Sequence, residues 1–129
     1  MVSRRLIETV RELYSSAADD QAALTGLVSL LSSLRAGGDE EEVVLIADEA
    51  ATRACVLRQF ETAAQLWEEA SVLRPGDILL LFSLAHALER CGRVEAAIAV
   101  LERCASMQVE GDPETTLPVA RKLRKLRGQ

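Results

Sequence analysis

Aromatic residues and prolines are scarce in this sequence, with two Phe, one Trp, one Tyr and three Pro among 129 residues. Strands are normally enriched in aromatic and β-branched residues, and the chain has no run in which apolar and polar residues alternate. Apolar residues nevertheless make up 49% of the chain, and alanine and leucine are abundant among them. The composition therefore argues against disorder, disfavours a sheet, and predicts a core of helices packed on helices.

Long apolar runs are also absent. The first thirteen residues are interrupted by Glu8, Arg11 and Glu12, so we do not expect a secretion signal. The most apolar segment, residues 78–88, is too short to span a bilayer. These features predict a cytoplasmic protein without a transmembrane segment.

Residues that carry chemistry are few. His86 is the only histidine, and Cys55, Cys91 and Cys104 show no C-x-x-C spacing. A zinc site needs several ligands, and a cysteine nucleophile needs a base and an oxyanion site, which no motif places here. No glycine-rich phosphate loop occurs in the sequence either. We therefore expect no enzyme activity, cofactor or metal, with a metal or thiol site of His86 and Cys55 as an alternative.

Residues 44–109 contain an internal repeat with a period of 34 residues. When the first half is moved forward by one period, Ala51 falls on Ala85 and Ala63 on Ala97. Each half holds two amphipathic helical patterns joined by a short turn. Small and large apolar residues are mixed on the two faces, which lets neighbouring helices interdigitate. A fixed period of this length is typical of a stack of helical hairpins.

The repeated positions resemble those of the tetratricopeptide repeat (TPR) family, whose pattern is W-x2-L-G-x2-Y, then A-x3-F, then P. The matching positions are Ala47, Ala50, Ala51, Ala54, Ala63, Trp67 and Pro75 in the first repeat and Leu81, Leu84, Ala85, Leu88, Ala97 and Leu101 in the second. The chain departs from the pattern near Arg58, where the turn glycine is missing, and at Pro113, which comes four residues late. The resemblance implies an all-α, TPR-like stack of antiparallel hairpins with about seven helices. The alternative is a helical bundle without such stacking.

The predicted organisation is one domain with four parts. Residues 1–38 form an N-terminal helical hairpin, which is either a degenerate repeat or a cover over the groove described below. Residues 43–76 and 77–110 form the two TPR-like repeats, and residues 112–129 form a basic capping helix. Pro118 is expected in the first turn of that last helix, since proline deeper in a helix disrupts it.

Charge is divided unevenly along the chain. The last nine residues carry Arg121, Lys122, Arg124, Lys125 and Arg127, in a protein of net charge −5. A capping helix with cations near its C-terminus explains this tail best, because the helix dipole favours positive charge there. Binding to a membrane, an acidic protein or nucleic acid is the alternative, and nucleic acid is the least expected because stacking aromatic residues are lacking.

In TPR proteins the first helix of each repeat lines a concave groove, so the resemblance implies a groove at eight positions. These are Leu45, Asp48, Thr52 and Cys55 in the first repeat and Leu79, Phe82, His86 and Glu89 in the second. Other leucines already supply the core face of the second-repeat helix. Leu79 and Phe82 are therefore expected to present apolar groups to the groove, as binding sites commonly do.

The expected ligand is an amphipathic helix or peptide of a partner protein, buried against Leu79 and Phe82 while Glu89 and Asp48 select basic flanks. TPR proteins that bind acidic tails of heat-shock chaperones use basic and amide residues in the groove, where this chain has residues such as Asp48. The chain is more similar to small bacterial TPR chaperones that shelter secretion subunits. We therefore expect an adaptor or chaperone. The alternative is a scaffold subunit that self-associates as a homo-oligomer or fills its own groove.

Overall fold

The computed structural model describes residues 2–107 and 113–128. These residues form seven α-helices, which are α1 (Arg4–Ser16), α2 (Asp20–Gly37), α3 (Glu40–Val56), α4 (Phe60–Leu73), α5 (Ile78–Arg90), α6 (Val94–Met107) and α7 (Pro113–Leu126). No strand occurs within these two ranges. The predicted all-α fold is confirmed.

Each helix packs against the helix that follows it, so the chain forms hairpins arranged as successive layers. Helices α1 and α2 form the first layer, α3 and α4 the second, and α5 and α6 the third. Helix α7 packs on α5 and α6 and so covers the third layer. A hydrophobic core runs through all the layers, from Leu6 in α1 to Leu123 in α7.

Small residues allow the helices of the second layer to approach closely. Ala47 and Ala51 in α3 and Ala63 and Ala70 in α4 are all fully buried. Trp67, with 5% of its surface exposed, fills the space beside them. Burying a large apolar side chain contributes about 1.5–3 kcal/mol, so these large residues dominate the stability of the layer and the alanines set its spacing.

Aspartates are the N-cap residues of three of the helices. The side chain of Asp19 accepts a hydrogen bond from the N–H of Ala22, and that of Asp77 accepts one from the N–H of Leu80. Asp39 caps α3 in the same way, and this helix begins at Glu40. Glu40, Glu41 and Glu42 form the first turn of α3, where carboxylates interact favourably with the positive end of the helix dipole.

The turns within the second and third layers have the same backbone geometry. Arg58 and Gly92, 34 positions apart, both adopt the left-handed conformation, with φ of 60° and 91°. The next N–H in each turn donates to the carbonyl of Ala54 or Leu88, at 2.8 Å in both cases. This is the bonding of a Schellman helix ending, which normally uses glycine. Arginine thus adopts the conformation for which the repeat pattern would place a glycine.

The N-terminal hairpin lies alongside α3. The N–H and hydroxyl of Ser3 both donate to the Glu42 carboxylate at 2.9 Å, and the Tyr14 hydroxyl donates to Glu49 at 2.7 Å. Glu42 is buried by this contact. The hairpin therefore occupies the position of an additional layer at one end of the stack.

The C-terminal helix α7 presents its apolar face to the third layer, where Val119 and Leu123 are buried. Its start differs from the prediction for Pro118. The helix begins at Pro113, which is tolerated at a first helical position, so Pro118 lies inside the helix. The prediction that Pro118 occupies the first turn is therefore wrong. The predicted part boundaries at residues 110 and 112 lie outside the described residues.

Candidate binding groove

Helices α3 and α5 enclose an open groove of about 540 Å³, named here the α3–α5 groove. Its lining residues are Val2, Glu41, Val44, Leu45, Asp48, Thr52, Trp67, Asp77, Leu79, Leu80 and Ser83. Four of the eight predicted positions, Leu45, Asp48, Thr52 and Leu79, lie together in this lining. Cys55, Phe82, His86 and Glu89 do not lie in it.

Helix geometry explains why Phe82 and Glu89 lie elsewhere. Successive residues of a helix are rotated by 100° about its axis. Leu80 and Ser83, one and four positions after Leu79, therefore lie on one flank of α5. Phe82 and Glu89, three and ten positions after it, lie on the other flank. The first flank faces α3 and brings Leu80 and Ser83 to the groove. The second flank faces α7, where Glu89 forms an ion pair with Lys122.

The missed lining residues follow from the same rule. The prediction assumed that equivalent repeat positions of α3 and α5 line the groove. A groove between two parallel layers is instead lined by opposite flanks of its two helices. In α3 that flank includes Asp48, and in α5 it includes Ser83. The position of Leu79, together with the expected place of α3 in the preceding layer, would have been enough to identify Leu80 and Ser83.

The groove has an exposed apolar wall. Leu79 has 70% of its surface exposed and Leu45 has 37%, on the two helices that face each other. Val2 and Val44 lie next to them in the lining. Apolar side chains brought together at an exposed cleft usually indicate a binding surface.

The groove is also acidic. The Trp67 indole N–H donates to Oδ1 of Asp48 at 2.8 Å, which fixes this carboxylate in the groove. Asp77 caps α5 from the same lining, which also includes Glu41. Among the described lining residues there is no lysine or arginine. The groove is therefore suited to a ligand that carries positive charge beside its apolar groups.

The four predicted residues outside the groove have other surroundings. Phe82 is half-buried and packs against the core. Burial raises the pKa of the half-buried Cys55 thiol, and the thiolate form is therefore disfavoured. The exposed His86 ring meets Phe60 edge-on, with their centroids 6.5 Å apart. Partial burial and then the nearby Lys122 charge lower the pKa of His86, which favours the neutral form of its ring.

The Glu89–Lys122 ion pair, on the flank of α5 that faces α7, is largely shielded from solvent. The side chains of Lys122 and Glu89 are only 19% and 17% exposed. For the alternative of a metal site, no group of three or more His, Cys, Asp or Glu residues that could hold an ion occurs in the described part of the chain.

No protein-family model matches this chain, and no curated protein matches it significantly. Among the described helices, none combines the length and the apolar character needed to cross a membrane. The fold itself defines the class of this protein as an all-α stack of helical hairpins.

Proposed function

We propose that this chain is a TPR-type protein-binding module, an adaptor or chaperone, that takes an amphipathic helix or peptide of a partner protein into the α3–α5 groove. The observation that carries the proposal is Leu79, which is 70% exposed and faces Leu45 across a groove of about 540 Å³. Ligand clefts commonly have volumes of about 300–1,000 Å³. The groove therefore has room for a few side chains of one face of a helix.

The energetics of such binding rest on apolar burial. Covering an exposed leucine contributes about 1.5–3 kcal/mol at most, and ordering the partner costs part of this gain. Leu45 and Val44 extend the apolar contact beyond Leu79. We therefore expect the affinity of an adaptor that releases its partner, and not that of a permanent complex.

The acidic lining suggests which partner is preferred. Asp48 and Asp77 line the groove, so a lysine or arginine beside the apolar face of the partner is favoured. Glu89 contributes less than the sequence suggested, because its carboxylate already pairs with Lys122. Charge selection in this proposal therefore depends chiefly on Asp48 and Asp77.

The experiment that tests the proposal is affinity capture from a native lysate with the wild-type chain, Leu79→Glu and Val72→Glu. Val72 is 78% exposed and lies outside the groove lining, so it is a control of matched exposure and matched charge change. Equal helicity and equal melting temperature are checked first. We expect a protein that is retained by the wild type and by Val72→Glu and lost with Leu79→Glu. Retention of the same proteins by all three would refute binding in the groove.

The second candidate function is a scaffold subunit that fills its own groove or self-associates. Val2 of the chain's own N-terminal segment lines the α3–α5 groove, and this observation favours filling from within. The mass of the chain in solution, with and without the Leu79→Glu substitution, separates the two candidates. A homo-oligomer that survives dilution and dissociates on this substitution would favour the scaffold.

A further inference from the structure

Two arginines and a histidine surround one phenylalanine ring at the turn ends of α3 and α5. The Cζ atoms of Arg58 and Arg90 lie 5.7 Å and 4.9 Å from the centroid of the Phe60 ring. The His86 ring meets the same ring edge-on. These four residues are named here the Phe60 cluster.

The two guanidinium groups of this cluster lack carboxylate partners. Other arginines of the chain, such as Arg35, Arg74 and Arg93, form ion pairs with glutamates. Within the described residues, no carboxylate oxygen lies within 4.0 Å of a nitrogen of Arg58 or Arg90. The cluster is therefore a local concentration of positive charge on an acidic protein.

A cavity of about 420 Å³ opens beside the cluster and is lined by both arginines, together with Gln59 and Cys91. Glu61 also lines the cavity, but its carboxylate lies 3.6 Å from the guanidinium of Arg93, and this cation partly neutralises the negative charge of Glu61. A guanidinium group that stacks on an aromatic face keeps its N–H groups free at its edge. Such an edge matches the two oxygens of a carboxylate.

The backbone at Arg58 adds an independent observation. Its φ of 60° is costly for a residue with a side chain, and the equivalent turn of the next layer has Gly92. An arginine therefore occupies a position where glycine would adopt the backbone conformation with less strain. Strained conformations of this kind are commonly found at functional positions.

We propose that Arg58 and Arg90, held against Phe60, bind the carboxylate groups of an acidic peptide segment. A peptide is favoured over a free anion because of where the cluster lies. Leu79 and Arg90 are eleven residues apart on α5, on nearly the same side of the helix, which corresponds to about 16 Å. A single segment along α5 can place an apolar side chain at Leu79 and a carboxylate at Arg90. Only this link to Leu79 rests on the proposed function.

The charges along α5 also determine in which orientation a partner segment binds. Asp77 lies at the start of α5 and Arg90 at its end, so the charges along the helix run from negative to positive. A partner segment is therefore expected to carry its basic residues at the Asp77 end and its acidic residues at the Phe60 cluster.

The test is a titration observed through the arginine side-chain Nε–Hε resonances in NMR spectra, at constant ionic strength. The probes are acetyl-tetraglutamate amide and inorganic phosphate. We expect the resonances of Arg58 and Arg90 to shift in a saturable manner with the peptide, while the exposed Arg11 on α1 does not respond. The Arg90→Gln variant should weaken the peptide's effect on Arg58 about ten-fold, whereas Arg11→Gln should not change it. Unchanged backbone amide spectra show that the variants are folded.

Each other outcome overturns the proposal. Absence of saturable shifts at both arginines, or equal shifts at Arg11, would show that no specific site exists. Saturation by phosphate but not by the peptide would assign the site to a free anion. The Leu79→Glu variant separates this proposal from the proposed function, because the peptide titration should be unaltered when capture of the partner is lost.

Discussion

The left-handed turn at Arg58 allows a quantitative test of the repeat. The substitution Arg58→Gly removes backbone strain of about 1–2 kcal/mol. Two effects oppose this gain: glycine adds about 0.5–1 kcal/mol of freedom to the unfolded chain, and the contact of the guanidinium with Phe60 is lost at a cost of about 0.5–1 kcal/mol. We therefore expect Arg58→Gly to be about as stable as the wild type.

The variant Arg58→Ala separates these contributions. It loses the same contact with Phe60 but keeps the left-handed strain, so Arg58→Gly should be about 0.5–1 kcal/mol more stable than Arg58→Ala. The mirror substitution Gly92→Ala should lower stability by a similar amount. No atom lies within 4 Å of a Cβ placed at Gly92, so only backbone strain is introduced there.

The assay is urea unfolding followed by circular dichroism and by the fluorescence of Trp67, the only tryptophan. Equal slopes of unfolding free energy against urea show that the variants unfold from comparable native states. If Arg58→Gly were no more stable than Arg58→Ala, the strain argument would be wrong. If only the Gly92 substitution had an effect, the two turns would not be equivalent.

Three further predictions concern the core, a helix cap and pH. Trp67→Phe should lower stability by about 1–3 kcal/mol, because the Asp48 carboxylate loses its indole donor. If Asp48→Ala, which removes the acceptor, lowers stability equally in the wild-type and Trp67→Phe backgrounds, the two side chains are not coupled. Asp77→Ala should lower stability by about 1 kcal/mol through loss of the α5 cap, and Asp77→Asn, which can still cap, should restore most of it. Burial raises the pKa of the Cys104 thiol above its ordinary value of 9.0, so the unfolded chain ionises first and the free energy of unfolding should fall as pH rises above about 9. Urea unfolding between about pH 8 and 10 should show a shallower fall for Cys104→Ala, and identical pH profiles would contradict this assignment.

The fold could be predicted because its signals are local and repeated. The buried alanines of α3 and α4 recur at helical spacing, and Asp77 and Gly92 stand at a helix start and a helix end. Such residues act within one or two turns of the chain, so the sequence contains the information directly. The start of α3 is marked just as locally, since Asp39 caps the helix and three glutamates follow it in the first turn.

The groove could be predicted only in part, because its two walls come from different layers. Asp48 and Phe82 occupy equivalent positions of the two repeats, 34 residues apart. Equivalent residues each face the layer that follows their own, so they do not line the same groove. The next layer after α3 is α5, whereas after α5 it is α7, where Lys122 pairs with Glu89. The Phe60 cluster likewise joins two local pairs, Arg58 with Phe60 and His86 with Arg90, that are 26 to 32 positions apart from each other. Only the packed structure brings the two pairs together.

The order of the layers has a consequence for how the groove withstands opening of the structure. In a stack where each layer touches only its neighbours, the ends fray first and the interior opens last. The α3–α5 groove is built between the second and third layers, with the N-terminal hairpin on one side and α7 on the other. Fraying at either terminus therefore leaves the α3 and α5 walls of the groove in place and removes only Val2 from its lining. Most of the surface proposed for binding thus belongs to the most persistent part of the molecule.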